Sequence, residues 1–392
     1  MSVQPARYAI DLVHPPPNTS PGLIAVNDLG MMLIHCVKIS DGSDEAQSWL
    51  IHEGAMQKLG NFVPCGLNNL REVVGYTRSE LGYDHALLYK DGTTSTISEG
   101  MPGPTFASNI NDNSQILFWG FNDDSSVSGD IPRATKHLYL KDGEPIRELH
   151  APSGFWASQA KAMNDVGQVA GYVLSQEQSS IAPISHACLW DEESVSLLGT
   201  LPGFQSGEAV AINNMGIVLC VTSDNRLEPA IDPAMLEALL LAEAADTQMG
   251  QPTGDMEWQF DLLEKTLLDA EASLAGGKLV RFASFLWENN ERHALPALTD
   301  TGDVVAAALN DHGEVVGTIE TDEGDSHAAL WRDRQLFDLN DLIGETGWVL
   351  EAAVDINNLS QIVGTGIYEG ESRMFLLTPS ESPKADLTLP TL

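Results

Sequence analysis

The chain has 392 residues, 43% hydrophobic and 19% charged. That is enough apolar side chain for a large core, and too few charges for a disordered polyampholyte. Its 56 acidic residues against 20 basic ones give a formal charge of -36, a field that repels phosphate backbones and anionic headgroups and so excludes nucleic acid and membrane as expected partners.

The opening MSVQPARYAIDLVHPPP lacks the basic-then-apolar segment of a signal peptide, and no run approaches the ~18 apolar residues of a membrane span. As written the chain is expected in the cytoplasm, and in the periplasm or outside the cell if a leader was removed. Within this opening, YAIDL (8–12) is a short apolar run with no partner nearby in sequence.

From there one phrase recurs seven times: IAVNDLG around Asn27, GLNNLRE around Asn68, NINDNSQ around Asn111, AMNDVGQ around Asn164, AINNMGI around Asn213, ALNDHGE around Asn310 and DINNLSQ around Asn357. The spacings are 41, 43, 53, 49, 97 and 47 residues. Each copy is followed by a second phrase, such as HALLY (85–89), HACLW (186–190) or HAALW (327–331), and in most by a third short run such as SLLG or FDLN. One unit therefore reads as four short strands, here called a to d. Four strands in about 45 residues is the signature of a propeller blade, which hides its two apolar faces only by stacking on neighbours.

The phrase itself is turn chemistry. The Asn side chain caps its own a–b turn, and Gly30, Gly167, Gly216 and Gly313 supply positive φ. Arg71, Ser114 and Ser360 stand where that Gly is expected, at about 1–2 kcal/mol each if the left-handed angle is kept. The last unit ends at strand c (RMFLL, 373–377). Pairing YAIDL with it would complete blade 7 and leave no open edge. The expected fold is an all-β, seven-bladed β-propeller over residues 1–379, closed by its N-terminal strand, with a disordered tail at 380–392.

The single long spacing holds an insert, residues 225–278, in the b–c connection of blade 5. DPAMLEALLLAEAA (232–245) has Asp232 as N-cap and Pro233 in its first turn, and DMEWQFDLLEKTLLDAEASLAGG (255–277) begins at Asp255 and stops at Gly276. The two read as a helical hairpin. Met235, Leu236, Leu239, Leu240 and Trp258 exceed what one partner helix covers, so the hairpin is expected to be a lid over the channel or a docking element for a protein or a second subunit. The other b–c loops of blades 3 and 4 are also long, which points to a binding face formed by the b–c and d–a connections.

Phe62, Phe106, Phe155, Trp156, Phe204 and Trp348 recur in the d–a connections. They are candidates to ring that channel mouth and stack on a planar ligand, with blade-to-blade packing as the competing role. His150 and His14 lie in equivalent regions as candidate acids or bases. His85, His186 and His327 share one position of strand c, but alternate blades set them too far apart for one metal, and they are read as inter-blade hydrogen bonders. The acidic loops NDDSSVSGD (122–130) and TDEGDS (321–326) lack calcium-loop spacing. Cys36, Cys65, Cys188 and Cys220 form no CxxC pair and read as buried thiols. No metal or cofactor is expected.

HACLW (186–190), AINNMG (211–216), LLGTLPG (197–203) and above all residues 348–379 resemble the HAF-repeat proteins, bacterial chains of the pattern H-A-F-L-W, D-L-G-T-L-G-G, A-x-A-I-N-x-x-G-Q-V-V-G. The resemblance covers nearly everything except residues 225–278. It implies a β-propeller, usually an exported one, and carries over no catalytic or binding residue. The leading expectation is a non-catalytic scaffold binding a small molecule or a protein. The alternative is an enzyme, a hydrolase, lyase or cyclase of a small organic substrate, with its site at the channel mouth under the insert.

Overall fold

Among the described residues twenty-eight strands form seven antiparallel sheets of four. They come from a computed structural model that describes residues 7–380 apart from 17–18, 20–21, 38–45, 61, 79–83, 102, 123–134, 144, 156, 176–183, 193, 225–280 and 299–301. Six sheets are simple a–b–c–d meanders, beginning with strands a at Leu23–Val26, Val63–Leu67, Thr105–Ile110, Ala157–Met163, Ser206–Ile212 and Val304–Leu309. The seventh has a, b and c at Trp348–Ile356, Ile362–Tyr368 and Glu371–Pro379, and its outer strand is Tyr8–Val13, antiparallel to strand c from Tyr8 opposite Pro379 to Val13 opposite Met374.

Each strand a packs on the strand a of the next sheet, and the series runs from blade 1 through blade 7 back to blade 1. Strands a therefore line the axis of a seven-bladed β-propeller, and strands d form the rim. The core is divided accordingly into seven apolar clusters, one at each junction. Phe118, Ile116 and Ile110 meet Val74 and Ala86 between blades 3 and 2, and Val363 and Met374 meet Ile34 and Cys36 between blades 7 and 1. No single blade has a core of its own, so stacking is what stabilises each sheet.

In every blade the a–b register slips just before the Asn, the unpaired residue standing three before it, as at Ser108, Lys161 and Val210. Such a bulge bends strand a and carries its backbone over strand b. This explains the Gly of the Q-V-V-G phrase: a Cβ at Gly364 would overlap the carbonyl oxygen of Ala352, and one at Gly171 that of Gln159. Glycine in a strand here marks close backbone approach.

One strand bound and one thiol differ from expectation. Strand c of blade 7 extends to Pro379, and the Ser380 N–H just beyond it donates to the Arg7 carbonyl at 2.8 Å. Cys65 is only half-buried, because it is the bulged residue of blade 2. The insert at 225–278, with Met235, Leu236, Leu239, Leu240 and Trp258, and the segment 381–392 lie outside the described residues. Gly364→Ala should cost about 1–3 kcal/mol through forced separation of strands a and b, measured as a lowered urea midpoint with unchanged slope. A loss below about 0.5 kcal/mol would show that the strand does not approach as closely as described.

Candidate functional site

The a–b turns converge at one mouth of the channel and are bonded into two closed rings. In the first, each repeated Asn uses its oxygen locally: Asn213 Oδ1 accepts from the N–H of Met215 (3.1 Å) and of Ile217 (2.9 Å). Its amide group then donates forward to the main-chain carbonyl of the next blade's Asn, Asn213 to Asn310 at 3.1 Å. The same bond runs from Asn27 to Asn68, to Asn111, to Asn164, to Asn213, and from Asn310 to Asn357 and back to Asn27. All seven are buried. Sequence reasoning found the local half of this arrangement. The forward half is invisible in one repeat, because its acceptor belongs to another.

The second ring is made by the residue after each Asn: Asp28, Asn69, Asp112, Asp165, Asn214, Asp311 and Asn358. In every one the backbone N–H donates to the next member's Oδ1, from Asp28 to Asn69 at 2.8 Å round to Asn358 to Asp28 at 2.7 Å. The three amides also bridge the carboxylates. Asn69 donates to Asp28 and Asp112, Asn214 to Asp165 and Asp311, and Asn358 to Asp311 and Asp28. A ring of seven cannot alternate two residue kinds throughout, and the unavoidable mismatch falls at Asp112–Asp165. Burial pushes the Asp112 carboxyl up, the hydrogen bonds from Asn69 pull it down, and the charges of Asp165 and Asp28 raise it again, leaving it above its ordinary value.

Outside these rings the fourth residue after the Asn meets the turn of the next blade in five of the seven blades. Where it is Gln, the next blade carries Gly: Gln361 lies beside Gly30, Gln115 beside Gly167 and Gln168 beside Gly216. Where it is Glu, the next blade carries Ser: Ser114 Oγ donates to Glu72 and Ser360 Oγ to Glu314, each at 2.6 Å. Ser114 and Ser360 do keep left-handed backbone, φ 58° and 55°, as does Arg71 at 65°. The hydroxyl-to-carboxylate bond offsets that cost, since a charge-assisted bond contributes about 1.5–3 kcal/mol. Glu72 also takes bonds from Asn68 and Lys90, and Glu314 from Asn310 and Arg332. Burial acts to raise the Glu72 carboxyl, but the bonds from Lys90, Ser114 and Asn68 outweigh it and hold it below its ordinary value. Glu314 behaves alike, with Ser360, Asn310 and Arg332 as its partners.

At the junction of blades 7 and 1, Asp355 Oδ2 accepts from the Val26 N–H at 2.8 Å. Its burial pushes the carboxyl up to about 7, against the pull of the Val26 and Ile356 N–H groups and with some help from the Asp28 charge.

The described residues picked from sequence pack against neighbouring side chains or stand exposed. Phe106 is buried, stacked on Trp119 at 4.1 Å with its edge to Tyr76 of blade 2. Phe62 is buried against Tyr89. Phe155 meets His186 edge-on, Trp348 lies between Tyr368 and Phe375, and Phe204 is covered by the Arg281 guanidinium. These aromatics fill gaps between strands and blades, the competing role. His150 is exposed, 3.4 Å from Glu148, and its carbonyl accepts from Trp190 Nε1 at 3.0 Å. Trp331 likewise reaches back a blade, to the Pro296 carbonyl at 2.9 Å. Trp156 lies outside the described residues.

Two of the strand-c histidines have partners within their own blade, where an inter-blade role was expected: His186 bonds Ser175 at 2.7 Å and His327 bonds Asp338 at 2.6 Å, because strand c is flanked by b and d, whereas Trp190 and Trp331 at the end of strand c reach the preceding blade. Among the described residues no group of three or more His, Cys, Asp or Glu is placed to hold a metal ion, and no helix is long and apolar enough to cross a membrane. A cleft of about 520 Å³ between blades 3 and 4 is lined by Gln115, Asp142, Arg147 and Glu192. Its polar groups serve one another, Gln115 donating to Asp142 and Arg147 to the Glu192 carbonyl.

A β-propeller is thus the class that the fold defines. The chain resembles the β-propeller domain of the Trilobed protease from Pyrococcus furiosus, TM-score 0.55 at 11% identity, over 99% of this chain and 100% of that one. It resembles Pyrococcus horikoshii acylaminoacyl peptidase at TM-score 0.52 and 11% identity, and a puromycin hydrolase at 0.50 and 10%, over 95% and 93% of this chain. In both it spans about half of their length, 51% and 54%. No protein-family model matches the chain, and no curated protein matches it in sequence.

The Glu–Ser pairing makes a test. Glu72→Gln and Ser114→Gly should each lower stability by about 1–3 kcal/mol by leaving a buried group without its partner. The double variant, which installs the Gln–Gly pair of blades 3, 4 and 7, should recover at least about 1 kcal/mol of the summed loss in a denaturation cycle. Because the folded Glu72 carboxyl lies below its unfolded value, its contribution is complete above about pH 4.5 and lost as pH falls through the folded value. Wild type should therefore lose more stability than Glu72→Gln between about pH 5 and pH 3. Additive single effects, or parallel pH profiles, would remove the pairing from the account.

Proposed function

We propose that the chain is a binding scaffold of HAF-repeat type, holding a small molecule or a protein on the face formed by its b–c and d–a connections, and that it performs no chemistry itself. The observation that carries this reading is mechanical. Two unbroken hydrogen-bond rings pin every blade at the a–b end, while length varies at the other. The b–c connections run from two residues in blade 7 (369–370) to twelve in blade 3 (123–134) and fifty-eight in blade 5 (224–281). A fixed frame with variable loops at one end is the arrangement by which repeat scaffolds diversify what they bind. The expected restriction of long loops to blades 3, 4 and 5 needs adjustment, because the connection of blade 1 (38–45) equals that of blade 4 (176–183).

In this reading the insert at 225–278 covers the channel mouth or docks a partner or second subunit, and the Tyr8–Val13 strand fastens the ring. Tyr8 and Val13 are buried, and Tyr8 Oη receives a bond from Arg332 of blade 6 at 3.2 Å. Burial of two such side chains is worth about 3–6 kcal/mol. Deletion of residues 1–13 should accordingly lower the melting temperature by about 4–8 °C, and an unchanged value would show that the ring closes without that strand.

The alternative reading is an enzyme, a hydrolase, lyase or cyclase of a small organic substrate with its site at the channel mouth under the insert, and His150 is its candidate acid or base. Fluorogenic ester, peptide and glycoside substrates should show no turnover that is lost in His150→Ala. Turnover abolished by that substitution would replace the scaffold with an enzyme. Replacement of 228–277 by a short linker should change oligomeric state or ligand affinity, and a variant matching wild type in both would remove the insert from the function.

A further inference from the structure

In five blades the third residue of the a–b turn has an exposed side chain. Its N–H is taken up by the Asn side chain, as at Leu29 and Leu70. A polar residue serves there without penalty. Asn113 and His312 occupy the position in blades 3 and 6 and fold back on the next blade's turn, to the carbonyls of Asp165 (2.6 Å) and Asn358 (2.9 Å). The other five blades place large apolar side chains there: Leu29, Leu70, Val166, Met215 and Leu359, exposed by 45%, 56%, 73%, 73% and 59%. Among the described residues these are five of the ten large apolar side chains left exposed, gathered at one turn position on one face.

Because successive turns are hydrogen-bonded to each other, the five stand in a crown round the axis, Leu359, Leu29 and Leu70 on adjacent blades and Val166 with Met215 on the next adjacent pair. The crown stands on the partly exposed carboxylates of Asp28, Asp112, Asp165 and Asp311. The side-chain donors inside the ring are the three bridging amides. An apolar rim around an acidic centre matches one chemistry of partner, a cation framed by hydrocarbon.

We propose that this face, opposite to the elaborated one, docks a protein segment that places an arginine or lysine on the channel axis with apolar side chains around it, the cation over the Asp28–Asp112–Asp165–Asp311 ring and the hydrocarbon against the five-residue crown. A buried basic side chain sealed by an apolar surround is a common form of interface hot spot.

The probe is a fluorescein-labelled peptide carrying Leu-Leu-Arg-Leu-Leu in a Gly/Ser frame, titrated with the full chain by fluorescence anisotropy, alongside a counterpart with Glu in place of Arg. The Arg peptide should bind, the Glu peptide at least about tenfold more weakly, and added salt should weaken the former. Leu29→Ser/Leu70→Ser/Leu359→Ser, whose melting temperature should match wild type because the side chains are exposed, should lose at least about tenfold in affinity. A control, Leu197→Ser/Val349→Ser, with exposed apolar residues elsewhere, should bind as wild type does. Equal binding by the crown variant and wild type, equal binding of the two peptides, or no binding of the Arg peptide would each overturn the proposal. Self-association in sedimentation velocity that the crown variant abolishes would overturn it in favour of a second copy, and crown-dependent binding to phosphatidylcholine vesicles in favour of a lipid surface. None of these results depends on what the opposite face binds.

Discussion

Each repeated Asn does two things with one amide: its oxygen closes its own turn and its nitrogen holds the neighbour's main chain. Only Asn meets both requirements at this length. Asp would close the turn and leave the next carbonyl without a donor, and Gln would carry the group a methylene too far from its own backbone. The turn and the blade-to-blade bond are consequently one interaction. A blade that loses its neighbour exposes the donor of its Asn, and a blade whose turn opens releases the neighbour's carbonyl. Buried groups of this kind contribute modestly when paired and cost more when orphaned. That asymmetry couples the seven sheets more tightly than apolar stacking alone.

The residues around the Asn are fitted to their counterparts one blade away. Gln faces Gly and Glu faces Ser, so a substitution that looks harmless within one repeat breaks a pair with the next. Left-handed Ser114 and Ser360 illustrate it: within their own turns they are unfavourable replacements for Gly, and across the junction each supplies a hydroxyl to a buried carboxylate. The seven-member Asp/Asn ring is governed by number as well as chemistry. With an odd count one like pair must remain, and placing two carboxylates together leaves a negative point on the axis where two amides would leave a neutral one.

The blades were legible because strands a, b and c meet neighbours on both faces and must be apolar at fixed places. Strand d was less so: Thr93–Thr96 is exposed along its whole length, since the rim has nothing to cover it, and a sequence of threonines carries no burial signal. The aromatic candidates were ambiguous for the converse reason. Phe106 and Trp348 sit where the d–a connection enters strand a, close to the mouth in sequence terms, and there their rings pack in or against the apolar clusters between blades. The strand-c histidines could not be assigned because a one-dimensional repeat shows which position recurs and not which side it faces. The inter-blade rings and the apolar crown were present in the seven aligned phrases as the columns after the Asn. Their meaning depended on knowing that those columns touch across blades.

The same carboxylates also set the conditions under which the ring is strongest. Glu72 and Glu314 are held below their ordinary values, so what they contribute is present in the charged form and disappears as acid protonates them. Asp112 is raised and Asp355 is raised to about 7, so for these the protonated form suits the fold, and a cost accumulates as pH climbs from the unfolded value through the folded one. The two pairs act at different junctions: Glu72 and Glu314 fasten blades 2 to 3 and 6 to 7, Asp112 meets Asp165 between blades 3 and 4, and Asp355 lies at the meeting of blades 7 and 1. Acid therefore loosens the Glu–Ser junctions, while the two Asp junctions weaken as pH rises from the ordinary carboxylate range, at Asp355 progressively up to about 7. No single pH suits all four: the conditions that charge Glu72 and Glu314 are those in which Asp112 and Asp355 lose what their protonated forms contribute.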